Sequence, residues 1–262
     1  MSENFPPYFL KRVFAVWYRH QKCYCKDLIP NALPPFLEPL LYLLAIGYGV
    51  GQYLPDMEGL RYVVFLAPGM MATSSVYSAT LETTYGTFIR LEYQKVYANL
   101  LATPITFKEL YLGELLWCGT KGFLFSIAVL LVLTGFGLVT YPLALLTPIV
   151  GFLNACVFGI LGMFVTSIVY NINNFNLYFS GFITPIFFFS GTFFPLIQLP
   201  EVLQKVALMI PLTHTVILMR ALTTNHFPPN LWIHLLWLVG LSLPFAFLGY
   251  RNLKNRLIGH SL

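Results

Sequence analysis

YLGELLWCGTKGFLFSIAVLLVLTGFGLVTYPLALLTPIVGFLNACVFGILGMFVTSIVY, residues 111–170, decides the fold. It holds two apolar runs, Tyr111–Leu133 and Leu143–Tyr170, separated only by TGFGLVTYP. At about 1.5 Å of helical rise per residue, each run is long enough to cross a hydrocarbon core about 30 Å thick. A link this short makes them an antiparallel pair of neighbouring helices.

The rest of the chain has the same character. Of 262 residues, 57% are apolar and only 10% charged, and the mean hydropathy is +0.71. Soluble domains carry about 25% charged residues. A water-soluble fold could hide one such helix, but several would leave it without a polar surface. The net charge of +5 comes with no nucleic-acid motif and no basic stripe interleaved with exposed aromatics, so nucleic acid is not an expected partner. Cys23-x-Cys25 is too close-spaced for the usual pair of zinc ligands, and Cys118 and Cys156 sit in apolar runs as small hydrophobes. His20, His214, His226, His234 and His260 form no metal spacing and read as interfacial or surface residues. No leader with a cleavage motif precedes the first apolar run, which is expected to remain as an anchor.

Four further spans are predicted. The first covers Ala32 to Gly51, with Pro34, Pro35 and Pro39 in its opening turns, and the second covers Tyr62 to Tyr85. The fifth covers Phe175 to Phe194 and the sixth Leu231 to Tyr250. The second is rich in Ser and Thr and is expected to face protein more than lipid. With six spans, three basic regions fall on one side: Lys11 to Lys26, the loop with Arg90, Lys95 and Lys108, and the tail with Arg251, Lys254 and Arg256. The positive-inside rule then places both termini in the cytoplasm of a multi-pass membrane protein.

Three segments do more than span. Residues 1–30 read as an amphipathic interfacial helix, with Phe9, Val13, Trp17, His20 and Tyr24 on one face, set apart from a membrane domain over residues 31–262. It is either an anchor for the first span or a lateral entrance or gating helix. In the loop from Phe88 to Lys108, Ile89, Val96, Leu100 and Thr103 share a helical face, Arg90, Glu92 and Lys95 are polar, and Pro104 ends the helix. Such a helix either docks a cytosolic partner or packs at the interface. Between the fifth and sixth spans, Pro195, Pro200 and Pro211 cut an apolar segment into pieces that suit a re-entrant hairpin. A seventh span over Val206 to Leu222 is the alternative, but it would export the basic tail.

Glu38, Glu82, Glu114 and Lys121 fall in or beside apolar runs, where charge is costly unless paired or hydrated. Glu82, Glu114 and Lys121 are candidates for a path or gate, with Tyr77 and Phe188 as aromatic lining and Pro195, Pro200 and Pro211 as gate elements; interfacial placement is the plainer alternative. Glu114 and Lys121 share a helical face but stand too far apart for direct contact. Tyr8, Trp17, Tyr24, Tyr170, Trp232 and Tyr250 suit an aromatic belt. No G-x-x-x-x-G-K-[ST] loop and no nucleophile or metal constellation is present, so no catalytic, cofactor or metal residue is assigned.

FLAPGMMATSSVYSA at Phe65–Ala79, LLATPITFKELYLGELL at Leu100–Leu116 and FFPLIQLPEVLQKVALMIPLTHTVILMRAL at Phe193–Leu222 resemble the permease subunits of ABC-2 type exporters, in the lipooligosaccharide and nodulation-factor branch. The resemblance implies an inner-membrane permease working as a homodimer beside two separate nucleotide-binding subunits, which would use ATP and Mg. It makes Arg90–Thr106 the coupling helix, with Arg90, Glu92, Lys95, Val96, Leu100, Thr103 and Pro104 at the ATPase contact. It makes Pro195–Leu222 a re-entrant gate and the leading helix an interfacial connector. The implied cargo is an amphiphilic or lipid-linked oligosaccharide; drug efflux by the same class and a noncatalytic scaffold are the alternatives.

Overall fold

The computed structural model describes residues 8–33, 37, 40–139 and 141–258. Pro34, Pro35, Glu38, Pro39 and His260, and the first seven residues of the leading segment, lie outside the described residues.

Every regular element among the described residues is helical. α1 (Phe9–Lys26) and α2 (Leu28–Ala32) lead to α3 (Leu40–Tyr53). α4 (Tyr62–Leu81) runs on through wide turns at Glu82–Gly86 and Ile89–Tyr93 into α5 (Val96–Leu101). α6 (Phe107–Gly135) and α7 (Thr147–Ile168) follow. α8 (Phe175–Tyr178) and α9 (Thr184–Phe189) are joined by a π turn, and α10 (Glu201–Ala207), α11 (Pro211–Thr224) and α12 (Leu231–Ile258) complete the chain.

Among the described residues, three stretches are long and apolar enough to cross a membrane: Phe107–Gly135, Pro142–Ile168 and Leu231–Leu257. The pair α10 and α11, bent by 83°, makes a fourth if counted as one passage. The expected second span, α4, is less apolar than these for a physical reason: sixteen of its twenty residues are buried, so it is solvated by other helices and tolerates its Ser and Thr. The expected fifth span stops at Phe189, not Phe194, because Gly191 adopts φ +78° and turns the chain.

α6 and α7 are the antiparallel pair that their short link demands. Cys118 faces Gly159, Gly119 faces Cys156, Gly122 faces Ala155 and Ser126 faces Gly151, so one index rises as the other falls. A Cβ on Gly122 would overlap that of Ala155 and stand 2.8 Å from the Gly151 carbonyl. Small residues let the backbones meet, and close packing supplies the cohesion that lipid does not. α4 crosses both helices, and Asn154 ties the junction: its amide donates to Ala72 O (3.0 Å) and Ser75 Oγ (2.7 Å) and accepts from Thr215 Oγ1 of α11 (2.9 Å).

The two ends of the bundle differ. At one, the turns after α4 meet α8 through Tyr85 and Asn176 (3.0 Å), and Phe107 of α6 packs on Tyr250 of α12 (5.1 Å). At the other, Gln198 reaches Met57 and Tyr48 of α3 packs near Phe136. The segment entering α10 and the end of α11 also meet there, since Arg220 donates to Gly191 O at 2.8 Å. Between those points the tip of the bent pair packs deeper: Met209 and Pro211 share a pocket with Leu241 and Phe245 of α12. The two ends of the segment therefore meet at one end of the bundle.

Candidate functional site

The loop after α4 differs from the single amphipathic helix read from its spacing. Lys95 takes φ +52°, a left-handed kink that separates the turn at Ile89–Tyr93 from α5. Val96 and Leu100 are half-buried, Thr103 and Pro104 exposed, and α5 ends at Leu101 before Pro104. The next helix starts on a capping box: Thr106 Oγ1 accepts from Glu109 N (3.3 Å), and the Glu109 carboxylate accepts from Thr106 N (2.7 Å). Tyr97 is buried beneath this elbow, accepting from Arg90 Nε and donating to Thr87 Oγ1, both at 3.4 Å. Burial raises its pKa, which keeps the hydroxyl a donor.

Arg90 is not a surface docking charge. It turns inward and binds Glu82 Oε1 (2.7 Å) and Glu114 Oε2 (3.0 Å). Glu114 Oε1 meets His20 Nε2 of α1 (2.7 Å), and Glu82 Oε2 accepts from Lys121 Nζ (2.9 Å). The result is one chain of polar groups, His20, Glu114, Arg90, Glu82 and Lys121, running from α1 through the loop to mid-α6. Their side chains are 3–15% exposed, so bulk water screens them little. Two carboxylates answer two fixed cations, which offsets desolvation that an isolated ion could not meet. Glu114 and Lys121 do not touch; Arg90 and Glu82 bridge them, which their spacing on one helix could not show. His20, read as interfacial or surface, is buried in the chain.

α1 packs lengthwise along α6 and in the same direction. Arg12 pairs with Glu109 (3.6 Å), Val16 abuts Gly113, His20 stacks near Trp117, and Lys121 lies over the Tyr24 ring. Trp17 donates to Thr120 Oγ1 at 2.9 Å, so it serves this contact. The outward face of α1 remains apolar, with Leu10, Phe14 and Tyr18 exposed.

Lys121 also lines a cavity of about 470 Å³ between α2, α3, α4, α6 and α9. Thr73, Ser74, Tyr77 and Ser78 give it a polar stripe along α4; Met70, Phe125 and Phe187 supply apolar wall. Tyr77 thus lines this cavity, whereas Phe188 is exposed and its neighbour Phe187 takes the lining position. Pro195 and Pro211 are buried and Pro200 exposed; Pro211 opens α11, where its missing N–H costs nothing.

Glu92 and Lys95 pair at 3.5 Å, but Glu92 also accepts from Arg256 NH2 at 2.9 Å. Arg256 NH1 donates to the carbonyls of Thr166 (2.8 Å) and Val169 (2.6 Å), closing the open end of α7. The tail cation that sequence counts only for orientation thus joins loop, α7 and α12. Asn154 and Arg220 likewise carry no signal beyond being polar residues in apolar surroundings. His214 and His234, unconnected in sequence, pair through their Nδ1 atoms at 2.6 Å.

A helical, multi-pass membrane protein with a buried chain of charged groups between an end loop and a cavity is the class that fold and site define. The chain belongs to the ABC-2 type transporter family, whose model matches residues 11–223. It is 34% identical to Nodulation protein J of Sinorhizobium fredii over 93% of each chain. It is 36% identical to Nodulation protein J of Rhizobium leguminosarum bv. trifolii, again over 93% of each. The Inner membrane transport permease YadH of Escherichia coli is 21% identical over 77% of this chain and 78% of its own. The chain is thus a membrane transport permease.

Proposed function

We propose that this permease exports an amphiphilic, lipid-linked oligosaccharide across the bacterial inner membrane, driven by ATP hydrolysis on separate nucleotide-binding subunits. Two copies of the chain, each with six crossings and both termini in the cytoplasm, form the pathway. Residues 1–30 act as an interfacial connector to a membrane domain over residues 31–262.

One observation carries this reading: the ion chain joins the loop to the cavity. The elbow at Lys95, with Glu92, Val96, Leu100, Thr103 and Pro104, presents the face on which an ATPase closing around ATP and Mg would press. Arg90 is the inner end of that elbow, and any displacement of it shifts Glu82 and Glu114 and then Lys121 at the cavity wall. Ion pairs inside a packed bundle are short-range and geometry-bound, so they transmit a discrete rearrangement. The cavity supports a cargo with two characters: hydroxyls along α4 suit a glycan, and the apolar wall suits an acyl chain. The hairpin from Pro195 to Pro211 and on through α11 stands at the other end, as an outer gate would.

Reconstituted with its ATPase, the protein is expected to move a labelled lipo-oligosaccharide outward only with ATP and Mg. Inactivity across a broad panel of lipids and lipo-oligosaccharides sinks this cargo class. Transport confined to hydrophobic drugs would turn the assignment to efflux.

A further inference from the structure

Arg220 is a cation carried into the bundle with no carboxylate at ion-pair distance among the described residues. It stands on α11, at the end of the molecule away from the loop. Its NH2 donates to Phe65 O (3.2 Å) and Gly191 O (2.8 Å), and its guanidinium carbon lies 3.8 Å from the centre of the Phe65 ring. Those contacts fix the plane of the group without neutralising it. Its Nε is buried with no hydrogen-bond partner. Among the described residues no carboxylate forms an ion pair with it, in contrast to Arg90 and Arg256. A guanidinium keeps its charge at any physiological pH, so it presents unused, oriented donors in a poorly hydrated place.

Arg220 lines a cavity of about 500 Å³. His226 and His234 stand in the same wall, and Ile197, Ile217 and Phe227 make an apolar side. Glu58, the one acid in the lining, is exposed and held at φ +53° on the turn before α4. It opposes an entering anion from the mouth rather than occupying the guanidinium. The volume far exceeds what a lone phosphate or sulfate fills, and the apolar side asks for a hydrocarbon neighbour.

We propose that this cavity is a binding subsite for an oxyanion-bearing amphiphile, with Arg220 taking the phosphate, sulfate or carboxylate and the Ile197 and Phe227 side taking the adjoining chain. With NH2 spent on the two carbonyls and Nε enclosed, NH1 is the nitrogen left to donate, and a charge-assisted N–H···O bond from it to an oxyanion is stronger than a neutral amide could make. The occupant is either a bilayer lipid or cargo on its way out; only the second source rests on the exporter reading.

The test is ligand-dependent thermal melting of the purified full-length protein in neutral detergent, without nucleotide or transport, so that its failure leaves the export proposal standing. Binding to the folded protein raises the melting temperature with ligand concentration and yields an apparent Kd. Oleoyl lysophosphatidic acid is expected to bind at least tenfold more tightly than monooleoylglycerol or inorganic phosphate. Arg220→Gln is expected to weaken it tenfold or more, with partial recovery in Arg220→Lys. Glu58→Gln, a surface change that does not threaten folding, is expected to tighten it. Equal affinity for monooleoylglycerol, inorganic phosphate binding as tightly as the lipid, or no tightening in Glu58→Gln overturns the proposal, and so does wild-type affinity in Arg220→Gln. Displacement of the probe by phosphatidylglycerol supports the site with a bilayer lipid as occupant; retention against phosphatidylglycerol supports it with cargo as occupant.

Discussion

Arg90 shows how a residue's surroundings can be misjudged from its sequence. Its place in a polar loop suggests a surface charge, yet it is the centre of a buried relay, because the partners that draw it inward lie on α6 and are invisible to local spacing. Glu82, Glu114 and Lys121 were legible as costly charges in apolar runs; that they neutralise one another through Arg90 was not. The consequence is measurable. Arg90→Met leaves two buried carboxylates each short of a cation, and breaking such a pair costs roughly 3–5 kcal/mol. Glu114→Gln removes one of the stranded charges, so the double variant should lose less stability than the sum of the single ones, with a coupling of about 1 kcal/mol or more. Thermal unfolding of the four proteins in one detergent measures it, and additive losses would show that the groups act independently. Asn154→Leu is the neutral counterpart. It deletes three side-chain hydrogen bonds that join α4, α7 and α11, and a loss of about 1–3 kcal/mol is expected in the same assay.

Among elements, the α6–α7 pair is the most legible part of the fold, since two long apolar runs on a short tether leave one arrangement. Their contact follows a line of small residues, Gly119, Gly122, Gly151 and Gly159, that hydropathy passes over. Gly122→Val would drive its side chain into Ala155 and the Gly151 carbonyl, forcing the helices apart at a cost of about 1–3 kcal/mol or more. Gly135→Ala, at a position with open space around its Cβ, should be nearly neutral. Folded yield after solubilisation, read by size-exclusion chromatography, separates the two; equal yields would mean that α6 and α7 are not packed at that point. The less legible elements are those that depend on partners far away in sequence. α4 reads as a modest span because its polarity is satisfied by α6, α7 and α11. The segment after α4 reads as one helix because nothing local announces the left-handed Lys95.

For the whole molecule, the arrangement rests on which segments share an end. Counting basic residues groups the loop with the tail, and the contact of Glu92 with Arg256 joins them physically. Charge counting alone could not place the segment before α12, where Pro195, Pro200 and Pro211 fit either a hairpin or a crossing; the bond from Arg220 to Gly191 brings its two ends together, which favours the hairpin. Site-directed labelling tests both points at once. Cys23 and Cys25, the exposed native thiols, are first changed to Ser, while Cys118 is buried and Cys156 half-buried between helices. Single cysteines are then placed at Lys95, Lys254, Glu58 and Gln198, all exposed. In intact cells a membrane-impermeant maleimide is expected to label positions 58 and 198 and to reach 95 and 254 only after permeabilisation. Labelling that separates 95 from 254 would break the contact on which the relay depends. Labelling that puts 198 with 95 would instead turn the hairpin into a crossing and move Arg220 away from the outer surface. Each result removes a different part of the structure, so the four positions together locate the fault.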